Sequence, residues 1–348
     1  MRRRTIAATA WALCWPAWAA RAPRRKALPV REAPTRPYGR RRDVLAAAHA
    51  IAEVHGLDEA WVEAALTQAR FNAAVAQLIM PAAAPFAKNW AGYRARFVEP
   101  RRIDAGVHWW HEHEPWLQLA EERFGVPAGI VVSVVGVETF YGRVTGAFRV
   151  LDALATLTFD FPTGRSDRSA FFRAELGHFL ELSQRERWDP SAVMGSYAGA
   201  MGLPQFMPSS VLNYALDFDD DGRIDLLGSG ADVVGSVARF LTEHGWRRDM
   251  PTHYPVEPPA DIVERARLLV PDIVPTFSPA QMAERGAHLD DAALQHPGAL
   301  ALIELLNSDA APTYVAGTQN FYALTRYNAS SYYALAVAEL ARALEAAH

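Results

Sequence analysis

The sequence predicts a mainly helical α+β protein, and three features carry that prediction. Apolar residues recur at helical spacing through most of residues 43–250. The texture then changes over residues 251–317, where prolines stand at 251, 255, 258 and 259 and strand-like runs such as "ALALIELLN" and "TYVAG" follow. A helical pattern returns in "SYYALAVAELARALEAAH" and closes the chain.

Taken in order, the N-terminus reads as an export signal over residues 1–19. Arg2, Arg3 and Arg4 precede a short apolar run, and Ala17-Trp18-Ala19 supplies a small-x-small cleavage site. The run is too short to span a bilayer, so no transmembrane segment is expected in the mature chain. The remainder of a twin-arginine address fits poorly. Cys14 is the one cysteine, and "WALC" is not a convincing lipoprotein box. Lipid anchoring is therefore not expected, and the mature chain carries no disulfide. The expectation is a monomeric periplasmic protein. Residues 20–42, with nine Lys or Arg, four prolines and the single acid Glu32, form a basic linker. From residue 43 onward 23 Lys and Arg face 38 Asp and Glu. That acidic body is ill-suited to nucleic acid.

Asp43 is a candidate cap for "DVLAAAHAIAEVHG", which stops at Gly56. "DEAWVEAAL" and "FNAAVAQLIM" continue the helical pattern. "DAGVHWWHEHEPWLQLAEERFG" contains Pro115, which predicts one kinked helix or two. "VPAGIVVSVVGVETFYG" has Pro127 near its first turn and Gly142 as its expected C-cap. "RVLDALATLTFDFP", "SAFFRAELGHFLELSQRERW" and "ADVVGSVARFLTEHGW" are further amphipathic helices. The segments are an N-terminal helical domain over 43–118, a central body over 119–250, a small β-containing insertion over 251–317, and 318–348 returning to complete the body.

Glu138 is the one carboxylate in the apolar run "GIVVSVVGVETFYG". Apolar surroundings disfavour the charged carboxylate, which suits a general acid; a helix-end glutamate reaching for water is the alternative. "GSYAGAMGLPQFMPSS" (195–210) has three glycines, Ser196, Gln205 and Phe206. It reads as a ligand-lining loop able to meet sugar hydroxyl and acetamido groups, or as a packed turn. Asp217, Asp219 and Asp221 stand at positions 1, 3 and 5 of a calcium loop, with Gly222 at 6, the Arg223 carbonyl at 7 and Asp225 at 9. Position 12 is Gly228, so a later residue such as Asp232 has to close a structural Ca2+ site. A solvated acidic turn is the alternative. His108, His111 and His113 lack a shared helix face and read as surface or packing residues. The ten tryptophans fit dense packing or carbohydrate stacking.

Together these segments resemble the MltB-type lytic murein transglycosylases. "GVETFYG" matches the family's catalytic-glutamate motif, "GSYAGAMGLPQFMPSS" its most characteristic run, and "NFYALTRYNASSYYALAVAEL" its C-terminal motif. "RVLDALATLTFDFP" agrees too, and order and spacing match from about Trp90 to the end. The resemblance implies a lysozyme-like core flanked by a helical and a small β domain. It implies cleavage of the β-1,4 bond between N-acetylmuramic acid and N-acetylglucosamine in peptidoglycan glycan strands, with Glu138 as sole acid/base and no cofactor for the chemistry. Ser196, Gln205, Phe206, Tyr327, Asn328 and Tyr333 fall on cleft positions, as does Tyr93 in "NWAGYRARF". Phe240 stands where the family often has tyrosine, which removes a hydroxyl contact. The closing segment "LLGSGAD" departs from the family's usual length. Cell-wall synthases or amidases are the partners the resemblance suggests. A hydrolytic muramidase and a non-catalytic wall-binding scaffold are the competing readings.

Overall fold

The computed structural model describes residues 36–81 and 88–348. The export signal, Cys14 and most of the basic linker lie outside the described residues. The chain divides into two compact units, one of residues 88–137 and 238–348, the other of residues 36–81 and 138–237. The crossings at 137/138 and 237/238 fall inside helices, Ala128–Thr139 and Gly230–Glu243.

The first unit is built on the C-terminal helix Ser331–Glu345. Over residues 332–338 it is buried on all sides, and Tyr333, Ala334, Leu335, Val337, Leu340 and Leu344 are at 2 % exposure or less. Residues apolar all round a helix have no solvent face to offer, so this helix has to be central. Helices Trp90–Phe97 and Pro100–Phe124 pack against it, and Arg94 reaches Glu339 at 3.1 Å. The Pro100–Phe124 helix is one element of 25 residues that runs through Pro115. Glu99 accepts the Arg101 N–H, Pro100 fills the first turn, and Gly125 ends it at φ 68°. His113 bonds the Trp109 carbonyl and stacks on that ring, while His108 and His111 are exposed.

A four-stranded antiparallel sheet belongs to the same unit. Its order is His288–Leu289, His253–Glu257, Ala310–Gly317, Ala301–Asn307. The two predicted strands are present and pair by a hairpin with Ile303 opposite Val315. The His253–Glu257 strand, which the prolines conceal, is an addition. Pro255 pairs only with Val315 on one side, where its missing N–H leaves the other ladder untouched. Leu268, Met282, Leu300, Leu302 and Ala316 form this module's own core.

The second unit surrounds helix Val150–Phe159, in which nine of ten residues are buried. Two of its three buried polar side chains hold the N-terminal segment: Asp152 accepts the Arg70 N–H at 2.8 Å and Thr156 Oγ1 the Asn72 N–H at 3.0 Å. Helix Ser169–Arg185 packs beside it and against Arg42–His55. At Gly177 a Cβ would fall 2.4 Å from His55 Nε2, so only glycine permits that crossing. Among the described residues no helix is long and apolar enough to cross a membrane.

Burial makes the first unit acid-sensitive. It pushes His253 down to about 4, with the Arg342 charge adding to the effect and Glu339 opposing it; burial also lowers His244 and His296. The folded state thus takes these protons at lower pH than the unfolded chain, so the associated stability is full above about pH 6.5 and lost as pH falls toward 4. Melting temperature should drop between pH 7 and 4.5. The His253→Gln variant should lose less over that range, and an unchanged slope would count against this account.

Candidate active site

Glu138 sits in the last turn of helix Ala128–Thr139. Val131, Val132, Val134 and Val135 of that helix are fully buried, whereas Glu138 is half-buried. The helix does not run to Gly142. Phe140 (φ 52°), Tyr141 (φ 56°) and Gly142 (φ 81°) all adopt left-handed backbone, and the Val144 N–H closes on the Thr139 carbonyl. Two consecutive non-glycine residues in that region are unfavourable and persist only when their surroundings impose them. The Thr139 hydroxyl supplies part of that imposition. It accepts the Gly142 N–H at 3.1 Å and donates to the Leu203 carbonyl at 3.0 Å.

Leu203 belongs to the 195–210 segment, which folds as a compact loop. Ser196 accepts the Ala198 and Ala200 N–H groups, and Met201 and Phe206 exchange backbone bonds. Its glycines are required by contact. A Cβ on Gly195 would meet the Ala200 carbonyl at 2.3 Å, and one on the facing Gly146 (φ 109°) would fall 2.0 Å from the Gly195 carbonyl. Gln205, also left-handed at φ 51°, donates its side-chain amide to the Thr145 and Gly202 carbonyls. That leaves Gln205 Oε1 and the Ser196 hydroxyl proton for a ligand. The loop continues into helix Pro208–Tyr214, anchored from below by Glu175, which accepts the Ser209 N–H and hydroxyl at 3.0 and 2.7 Å. Burial pushes the Glu175 carboxyl up.

The loop that carries Ser196 and Gln205 is thus bonded, through Leu203, to the residue that follows Glu138. Phe206 is 2 % exposed, with its ring packed in the core. The buried acids of this unit are spent elsewhere. Asp152 holds Arg70, Glu175 holds Ser209, and Asp232 accepts the Phe218 and Asp225 N–H groups.

In the other unit, Tyr93 and Asn328 line a single cavity of about 700 Å³ together with Asn89, Arg96, Ser330 and Tyr332. That volume suits a small ligand or a short stretch of polymer. Tyr93 stacks with Trp90 and meets Tyr332 edge-on. Tyr327 leans on Phe240 (centroids 4.7 Å apart) and lies parallel to Tyr333 at 6.3 Å. Tyr333 and Phe240 are 2 % and 6 % exposed. Both pack against the Tyr327 ring. Tyr327 and Asn328 are half-buried and keep surface to offer.

The acidic loop gathers fewer ligands than its spacing predicts. Carboxylate oxygens of Asp217, Asp219 and Asp232 lie within 4.8 Å of one another. Asp221 and Asp225 are not among them; Asp221 accepts the Arg223 N–H, and Asp225 those of Leu227 and Gly228. Gly222 makes the sharp bend at φ 89°. The cluster fits a hard cation. Asp219 Oδ1 is buried without a hydrogen-bond partner. Burial raises the Asp232 carboxyl, two amide donors oppose it, and Asp219 and Asp217 push it further up. Ca2+ held by Asp217, Asp219 and Asp232 would relieve all three.

Residues 40–342 match the family model for the transglycosylase SLT domain, and the chain belongs to that family. It is 36 % identical over 300 residues to membrane-bound lytic murein transglycosylase B of Escherichia coli K12, covering 83 % of this chain and 79 % of that one. Among solved structures it resembles the soluble lytic transglycosylase SltB1 of Pseudomonas aeruginosa (TM-score 0.79, 36 % identity, 88 % of this chain and 99 % of the other). It also resembles the E. coli lytic transglycosylase Slt35 in complex with calcium (TM-score 0.76, 34 % identity, 89 % and 96 %). The fold expected from the sequence, mainly helical and lysozyme-like with a small β module, is the fold found.

Calcium should raise the melting temperature by about 5 °C at a hundredfold excess over its Kd. Asp219→Asn should abolish that increment while leaving the calcium-free melting temperature almost unchanged. An equal increment in the variant would rule out the site.

Proposed function

We propose that this chain is a lytic transglycosylase that cleaves the β-1,4 bond between N-acetylmuramic acid and N-acetylglucosamine in peptidoglycan and leaves a 1,6-anhydro-muramyl end. The observation that carries the reading is the placement of Glu138. It is half-buried on a valine-lined helix, with its helix end tied to the loop bearing Ser196 and Gln205. Ordinary glycosidases need a second carboxylate, as nucleophile or as base toward water. In Glu138's unit the buried acids are committed to backbone amides, which supports a single-acid mechanism.

In that mechanism the protonated Glu138 carboxyl donates to the glycosidic oxygen as the C1–O bond breaks. The cation-like muramyl ring is stabilised by its own N-acetyl carbonyl. The Glu138 carboxylate then removes the proton from the C6 hydroxyl of the same sugar, whose oxygen bonds to C1 and closes the anhydro ring. Proton and electron pair balance without water, and the nucleophile is already tethered, which removes the entropic cost of capturing it. Ser196 and Gln205 Oε1 address sugar hydroxyl and acetamido groups, while Tyr93, Tyr327 and Asn328 contact the strand. Phe240, Tyr333 and Phe206 support these residues from behind. Ca2+ on the Asp217 loop is structural.

The basic, apolar N-terminus with its Ala17-Trp18-Ala19 site is an export signal, and the enzyme works as a monomer in the periplasm. Cell-wall synthases or amidases are its expected partners.

Glu138→Gln should reduce release of soluble fragments from purified sacculi by at least about a hundredfold while sacculus binding is retained. Product masses from the wild-type digest should be about 18 Da below those of a muramidase digest. Wild-type protein that binds sacculi and releases nothing would identify a scaffold, and full-mass reducing ends a hydrolase.

A further inference from the structure

We infer that Thr139 is a positioning residue for Glu138, and that the acidic loop sets this position through the peptide groups of Leu203; the inference rests on Glu138 being the acid. Thr139 is 1 % exposed. A hydroxyl has one proton, and here it goes to the Leu203 carbonyl, which fixes the side chain's orientation. An ordinary helix-end cap would need only the local bond from Gly142. The Leu203 bond spans 64 residues and so ties the acid's own backbone to a different part of the unit.

Leu203 is itself held from the other side. Its N–H donates to the Leu226 carbonyl at 2.8 Å. Leu226 follows Asp225, whose N–H donates to Asp232 at 2.7 Å, within the Asp217–Asp219–Asp232 cluster. There is little slack along this line. A Cβ on Gly202 (φ 73°) would meet the Leu226 carbonyl and Cβ at 2.8 Å. Pro204 restricts the residue before it to extended backbone. Gln205 adds a second tie from the same loop to the Thr145 carbonyl, beyond the turn that ends the helix. The run Asp232–Asp225–Leu226–Leu203–Thr139 therefore joins the cation cluster to the residue after Glu138. A shift in the loop moves the carboxyl relative to Ser196 and Gln205.

The test uses soluble glycan strands as substrate. Thr139→Val keeps the shape and removes both hydroxyl bonds. It should lower kcat roughly tenfold with KM changed by less than about twofold, because a small misplacement of the acid costs rate more than binding. Thr139→Ser should recover kcat to within about threefold of wild type. A third readout needs no turnover: in the Glu138→Gln protein, chelating calcium should speed amide exchange at Leu203. Wild-type kcat in Thr139→Val, a loss that serine does not rescue, or exchange at Leu203 indifferent to calcium would each overturn the proposal. If Thr139→Val fails to fold, the serine variant and the exchange rates still decide it. Activity surviving in Glu138→Gln would instead mean that the acid is misassigned, which is a separate result.

Discussion

The helix that carries Glu138 has to stop one residue later, and much of its unit is arranged to make it stop there. Phe140 and Tyr141 turn into left-handed backbone, which non-glycine residues resist. The unfavourable turn is held by the Thr139 hydroxyl between Gly142 and Leu203, and by the Val144 bond to the Thr139 carbonyl. The close backbone contact of Gly146 with Gly195 then carries the chain past the 195–210 loop. A half-exposed carboxyl on an otherwise buried helix is the result.

Polar groups in the interior of that unit are allotted by the same economy. Asp152, Thr156, Glu175 and Asp232 each satisfy backbone N–H groups that would otherwise be stranded. Leaving any of them unmade would cost about 1–3 kcal/mol. The three acids among them hold loops in place, and Glu138 is not one of that buried set. The same division holds in the other unit. Tyr333 and Phe240 are buried supports, while Tyr327, half-buried on top of them, retains a usable face.

Much of this was legible in the sequence because it is local. Helices followed from apolar spacing, their ends from Gly56 and Gly125, and the acidic loop from its aspartates and Gly222. What failed was whatever depends on partners distant in sequence. A motif names Phe206 and Tyr333 without saying which way their rings point, and both point inward. The His253–Glu257 strand hid behind prolines whose harmlessness depends on which neighbours pair. Asp232 joins Asp217 and Asp219 from 13 or more residues on, a closeness that spacing alone does not display. Thr139 carried no signal at all beyond following a glutamate, since its partner lies 64 residues away.

The central claim, a single carboxyl that gives a proton and takes one back without water, can be tested by where the product's oxygen comes from. Digesting glycan strands in water enriched in heavy oxygen should give muramyl ends with no label, because the ring closes on the sugar's own C6 oxygen. Heavy oxygen at C1 of the muramyl product would contradict the account and make Glu138 the acid of a hydrolase.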